Sequence, residues 1–150
     1  MVTAQDIKQL REETGVSIAL CKAALEEAGG DHAKASEILT SKGAAGALKK
    51  ADRTLGAGTV AAYVHSNKNI GAMIKLESET DFVAGNSEFQ ALAYDIAMHI
   101  SALAPENVET LLEQPFVKDG DKTVKQLIEA AIQKFGERIE IGEFSRFSTK

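Results

Sequence analysis

The period of apolar positions changes once along this chain, near residue 58, and the change divides it. Before that point apolar residues recur at three- and four-residue intervals between helix-start and helix-stop residues. Thr3 opens a first helix with Ile7 and Leu10 on its face, and Gly15 ends it. Ser17 opens a second, in which Cys21, Ala24, Leu25 and Ala28 share a side until Gly29 and Gly30. Asp31 caps a third, with Ala35, Ile38 and Leu39 facing in, until Gly43. The pattern predicts a three-helix domain over 1–43. Residues 44–58 are mostly small, with Lys49, Lys50 and Arg53 among them, and read as a linker.

From residue 59 to 150 the pattern predicts an α+β core. Val60, Ala62 and Val64 alternate with Tyr63 and His65, and a polar turn, Ser66 to Asn69, leads into a second alternating run with Ile70, Ala72, Ile74 and Leu76 on one face. This is a hairpin with one covered and one wet face. The second strand runs into Thr80-Asp81-Phe82-Val83. Thr80 can cap free backbone N–H groups and Asp81 suits the positive end of a helix, which leaves Phe82 on a first turn at a sheet edge. There the ring can protrude as a wedge for another protein, or fold under the corner into the core, which is the commoner fate of a phenylalanine. Ser87 and Gln90 have capping-box spacing before a long stripe of Phe89, Leu92, Ala93, Ile96, Ala97, Ile100 and Leu103. Thr123 and Gln126 open another helix, with Val124, Leu127, Ile128, Ala131, Ile132 and Phe135 inward, ended by Gly136. Arg138 to Ile141 read as a third strand whose phase slips near Gly142, a place for a bulge. Without strict strand–helix alternation, a three-stranded antiparallel sheet packed on helices is expected rather than a parallel one.

Composition narrows the function. Residues 1–55 hold eight basic and eight acidic side chains, so the formal net charge of −5 belongs to the remainder of the chain. An acidic body argues against direct nucleic-acid binding. Cys21 is the single cysteine, which fits a reducing compartment without disulfides. With no signal peptide or apolar span evident, a cytoplasmic protein that does not enter membranes is expected.

Catalytic chemistry finds no footing. His32, His65 and His99 have no metal-ligand spacing, and Cys21 lies on an apolar helix face where a small core residue is expected. His65 and Asp81 could meet across the sheet as base and orienter, but the sequence positions no nucleophile beside them. Gly43-x-x-Gly46 and Gly56-x-Gly58 lack the lysine and the strand–helix context of a phosphate loop. The residues read as a binding protein, with no catalytic residue, metal or cofactor.

Two separated groups of residues carry a family resemblance. Leu10-Arg11-Glu12-Glu13-Thr14-Gly15, Cys21-Lys22, Ala24-Leu25, Gly30-Asp31 and Lys42-Gly43 resemble the N-terminal, ubiquitin-associated-like domain of elongation factor Ts. Thr80-Asp81-Phe82-Val83-Ala84 is similar to that family's second signature, and Phe116 to Asp119 with Arg146-Phe147 resemble its shorter members. The resemblance implies a guanine-nucleotide exchange factor for elongation factor Tu, binding it both with GDP and without nucleotide. It also implies that Thr80, Asp81, Phe82 and Val83 enter beside the partner's Mg²⁺ and phosphate site, with Phe82 as the wedge. Arg11, Ile18, Ala19 and Lys22 then contact a helix of the partner.

Departures from the family pattern are visible too. Ile18 and Ala19 stand where methionines are common, Leu20 where an acidic residue is, and Gly142-Glu143 where a basic pair is. Longer members carry a second half-core and a helical hairpin, whereas only a short connection separates Ala104 from Gln114. The resemblance to short members implies a homodimer with strand 138–147 near its interface. The alternative is a docking module that binds elongation factor Tu without efficient exchange.

Overall fold

The computed structural model describes all 150 residues, in the order α1 (Ala4–Thr14), α2 (Ile18–Glu27), α3 (His32–Lys49), β1 (Ala57–Val64), β2 (Ile70–Ser78), α4 (Asp81–Ala84), α5 (Ser87–Leu103), α6 (Val108–Glu113), β3 (Pro115–Phe116), β4 (Asp119–Thr123), α7 (Val124–Phe135) and β5 (Glu140–Ser148). The fold is α+β. Two compact units form, one from Met1–Ala51 with Glu129–Gly136 and one from Asp52–Ile128 with Glu137–Lys150.

In the first unit, side chains at the helix starts bind the backbone groups that the helix itself leaves open. Thr3, Ser17 and Asp31 accept from Asp6, Leu20 and Lys34 N–H respectively. Asp6 answers by accepting from Thr3 N–H, a bond that holds its carboxyl below the usual aspartate range. Gly15 takes a left-handed φ of 69° as α1 stops, a conformation that a Cβ would strain. Leu10, Val16, Cys21, Ala24, Leu25, Ala28, Ala35 and Leu39 form the core, with Val2, Ile7 and Ile38 packed against it. Contrary to the stop expected at Gly43, α3 runs on to Lys49. Neither Gly43 nor Gly46 ends it, because a lone glycine weakens a helix without breaking it.

The second unit is built on an antiparallel sheet of order β1-β2-β5. Ala72, Ile74, Leu76 and Ser78 of β2 are buried, and so are Phe89, Ala93, Ile96, Ala97 and Ile100 of α5, which lies on β1 and β2. Leu103, expected on that stripe, is exposed at the end of α5. Phe89 is fully buried at the first turn of α5. Phe89→Ala should lower the stability of this unit by about 3–5 kcal/mol, read by denaturant or thermal unfolding.

The bulge falls where the phase slip placed it. Lys75 pairs with Glu143 and Leu76 with Ile141, so Gly142 is the extra residue. The strand itself starts at Glu140, two residues later than expected, and runs to Ser148.

The facing of β1 is informative. Its half-buried positions are Ala57, Thr59, Ala61 and Tyr63, while Val60, Ala62 and Val64 lie on the exposed face. Ala57, Thr59 and Ala61 keep most of the inner face small, which suits a strand covered by α5. Register then pairs Val60 with Lys75, Ala62 with Met73 and Val64 with Gly71, and continues to Glu143, Ser145 and Phe147. The outer face is therefore apolar across much of its width: Val60 is 63%, Met73 53% and Phe147 75% exposed, with Val64 exposed beside them. Such a patch is unusual on an isolated surface.

Candidate functional site

Residues Glu79–Thr80 connect β2 to α4, and the connection is held on both sides. Thr80 is the N-cap of α4, its Oγ1 accepting from Val83 N–H at 3.4 Å. Val83 and Ala84 are buried and root the turn in the unit. Asp81 and Phe82 face out, and Phe82 is 89% exposed. The helical spacing explains this. In one turn, Val83 and Ala84 take the inward side and Phe82 the outward one.

The other side of the connection is held by a residue that local sequence reading did not reach. Glu137 Oε1 accepts from Glu79 N–H and Thr80 N–H, each at 3.1 Å, and its Oε2 accepts from Thr80 Oγ1 at 2.7 Å. The bond is returned: Arg138 N–H donates to Glu79 Oε2, which also takes Arg53 Nη1 at 3.3 Å. Arg138 Nη1 donates to the Arg53 carbonyl. No local pattern marks Glu137, since a glutamate beside a helix-ending glycine usually faces water.

In the first unit, Arg11 lies in the last turn of α1, and Ile18, Ala19 and Lys22 in the first two turns of α2; all four are exposed. Ile18 and Leu20 expose apolar surface together, and Lys22 forms only a long, solvent-facing pair with Glu26 at 3.8 Å. These side chains are available to a partner.

The histidines serve structure in different ways. His65 is exposed, its Nδ1 3.0 Å from Tyr63 Oη, so its observed neighbour is tyrosine and not Asp81. His32 Nε2 lies 3.6 Å from Glu13. His99 is fully buried and anchors the small β3–β4 hairpin, two strands too short and too polar to show as strands in sequence. Its Nδ1 accepts from Val117 N–H at 3.1 Å, so its Nε2 carries the proton and donates to Gln114 Oε1 at 2.9 Å, with Phe116 stacked on the ring. Burial pushes its pKa down, against a smaller upward pull from Gln114.

The unfolded chain therefore binds this proton more readily than the folded one. The contribution of His99 to stability is complete above about pH 6.5 and falls as pH drops below it. Unfolding midpoints at pH 7.5 and 5.5 should differ in wild type, and the difference should shrink in His99→Gln. An equal difference in both would contradict the assignment.

No group of three or more His, Cys, Asp or Glu side chains is placed to hold a metal ion. No helix is long and apolar enough to cross a membrane.

Comparison with known proteins agrees with this architecture. The family model for Elongation factor TS matches residues 32–110 and 79–150. Elongation factor Ts of Acetivibrio thermocellus is 39% identical over 192 aligned positions, covering 98% of this chain and 89% of that protein. That of Thermosipho melanesiensis is 37% identical, covering 99% and 98%. That of Trichlorobacter lovleyi is 44% identical over 147 positions, covering 98% of this chain and 47% of its own. An alignment of 192 positions over a chain of 150 residues means that the Acetivibrio thermocellus protein carries extra residues within the matched span. The protein is thus of the class of translation elongation factors. It belongs to the elongation factor Ts family.

Proposed function

We propose that this chain is a guanine-nucleotide exchange factor for elongation factor Tu, acting in the cytoplasm without chemistry of its own. The observation that carries the reading is Phe82, 89% exposed on a corner whose backbone is fixed at both sides. A GTPase holds GDP largely through phosphate and Mg²⁺ contacts. Phe82 enters beside that site as a wedge, Asp81 supplies the adjacent polar contact, and Thr80 and Val83 hold the corner. Arg11, Ile18, Ala19 and Lys22 grip a helix of the partner. Burying one Phe yields about 1.5–3 kcal/mol, roughly tenfold to a hundredfold in affinity, so the wedge needs this second grip.

Whatever the chain does to nucleotide affinity, nucleotide must do to the chain's affinity by the same factor. Binding should therefore be much tighter to nucleotide-free than to GDP-saturated elongation factor Tu, as measured by calorimetry. Equal affinities would favour the second reading, a docking module without efficient exchange.

The chain works as a homodimer. The support is the outer face of the sheet, where Val60, Val64, Met73 and Phe147 lie open across all three strands. Its rim carries both signs, with Lys75 Nζ 3.5 Å from Glu77 and 3.6 Å from Glu143. A two-fold pairing brings the same patch against itself and covers the apolar centre. The acidic body, with no basic stripe, supports action on a protein partner rather than directly on nucleic acid.

A further inference from the structure

Phe82 has almost no packing of its own, so its placement depends on the backbone beneath it. That backbone is a four-residue turn, too short to persist unaided. What fixes its start is Glu137, 57 residues away in sequence from Thr80. One carboxylate accepts both amide N–H groups of the Glu79–Thr80 connection and the Thr80 hydroxyl. By accepting the hydroxyl's hydrogen bond, Glu137 turns a lone pair of Thr80 Oγ1 toward Val83 N–H. The bonds thus run in series from Glu137 through Thr80 to the residue after Phe82. The returning bond from Arg138 N–H to Glu79 makes the two dipeptides a reciprocal clasp.

We propose that Glu137 is a positioning residue for nucleotide exchange: it holds the Thr80–Val83 corner in the inserting conformation before the partner arrives. The proposal deepens the exchange reading and rests on it. Ordering a backbone segment only on binding consumes binding free energy, so a corner held in advance keeps that energy for displacing nucleotide.

The test is stopped-flow release of fluorescent GDP from elongation factor Tu by wild type, Phe82→Ala, Glu137→Ala, Glu137→Gln and the Phe82→Ala/Glu137→Ala double variant. Glu137→Ala should slow stimulated release about tenfold. Glu137→Gln can still accept both N–H groups at its carbonyl while its amide donates to Thr80 Oγ1, and should stay within about threefold of wild type. The double variant should be slower than Phe82→Ala by much less than about tenfold, because Glu137 acts through the corner, whose largest contact is Phe82, and only the smaller contact of Asp81 remains to be lost.

Amide hydrogen exchange of the free chain supplies a readout independent of the partner. Protection at Glu79 and Thr80 should fall in Glu137→Ala while the amides of β2 and α5 keep theirs. If Glu137→Ala does not fold, Glu137→Asp, which retracts the carboxylate by one methylene, takes its place with the same expectations. Wild-type release by Glu137→Ala, or a double variant slower than Phe82→Ala by the full single-variant factor, would overturn the proposal and leave the exchange reading standing. No acceleration by wild type would remove the exchange reading itself, and the proposal with it.

Discussion

Phe82→Ala should remove most of the chain's ability to speed GDP release, a loss of about tenfold to a hundredfold at fixed concentration. The size follows from the ring. A side chain 89% exposed in the free protein has nearly all of its apolar surface left for a partner to bury. For the same reason the substitution deletes no internal contact of weight, and its unfolding free energy should stay within about 0.5 kcal/mol of wild type. An exchange defect without a folding defect is the expected signature. Phe82→Leu, which keeps apolar bulk but not the ring, should fall between the two. If Phe82→Ala exchanges as fast as wild type, the wedge lies elsewhere on the chain.

Met73→Glu is expected to convert a dimer into a monomer. Met73 sits on the central strand of the sheet, on the outer face, between Ala62 and Ser145. A two-fold pairing over this patch would bring two introduced carboxylates into a drying apolar centre. An unpaired charge there costs several kcal/mol, enough to weaken association about a hundredfold or more. Because Met73 is 53% exposed in the single chain, the same change should do little to its fold. Light scattering should give twice the 16.0 kDa chain mass for wild type and one chain mass for the variant. A monomeric wild type, or a variant as dimeric as wild type, would contradict pairing through this face.

How far the sequence reveals this protein depends on whether a feature is local. Thr3, Ser17, Asp31 and Thr80 were legible as helix starts because a cap needs only its own next three residues. Thr123 and Gln126 likewise form the reciprocal box their spacing predicts. One residue's difference arises at α5, where Asn86 accepts from Glu88 and Phe89 N–H and so caps ahead of Ser87, while Gln90 reaches the Ala84 carbonyl instead.

Which face of β1 is covered could not be read from β1 alone. Both of its faces are apolar or small, so the register with β2 and the cover of α5 decide. The β3–β4 hairpin, with Pro115–Phe116 on one side and Asp119–Thr123 on the other, is too short to show a period. Glu137 was hidden for a different reason. Its role is tertiary, and a charged residue on a half-buried connection resembles any surface glutamate until the fold brings Thr80 to it. The exposed tip of the candidate site was thus readable from Thr80 and Phe82, and its support was not.

The central claim is that binding of this chain weakens its partner's hold on GDP. Stopped-flow release of fluorescent GDP from elongation factor Tu, at rising concentrations of the wild-type chain, tests it most directly. The expected result is a release rate that climbs with concentration and then saturates. A rate that stays at its unstimulated value, while a complex demonstrably forms, would contradict the claim and leave a protein that docks without exchanging.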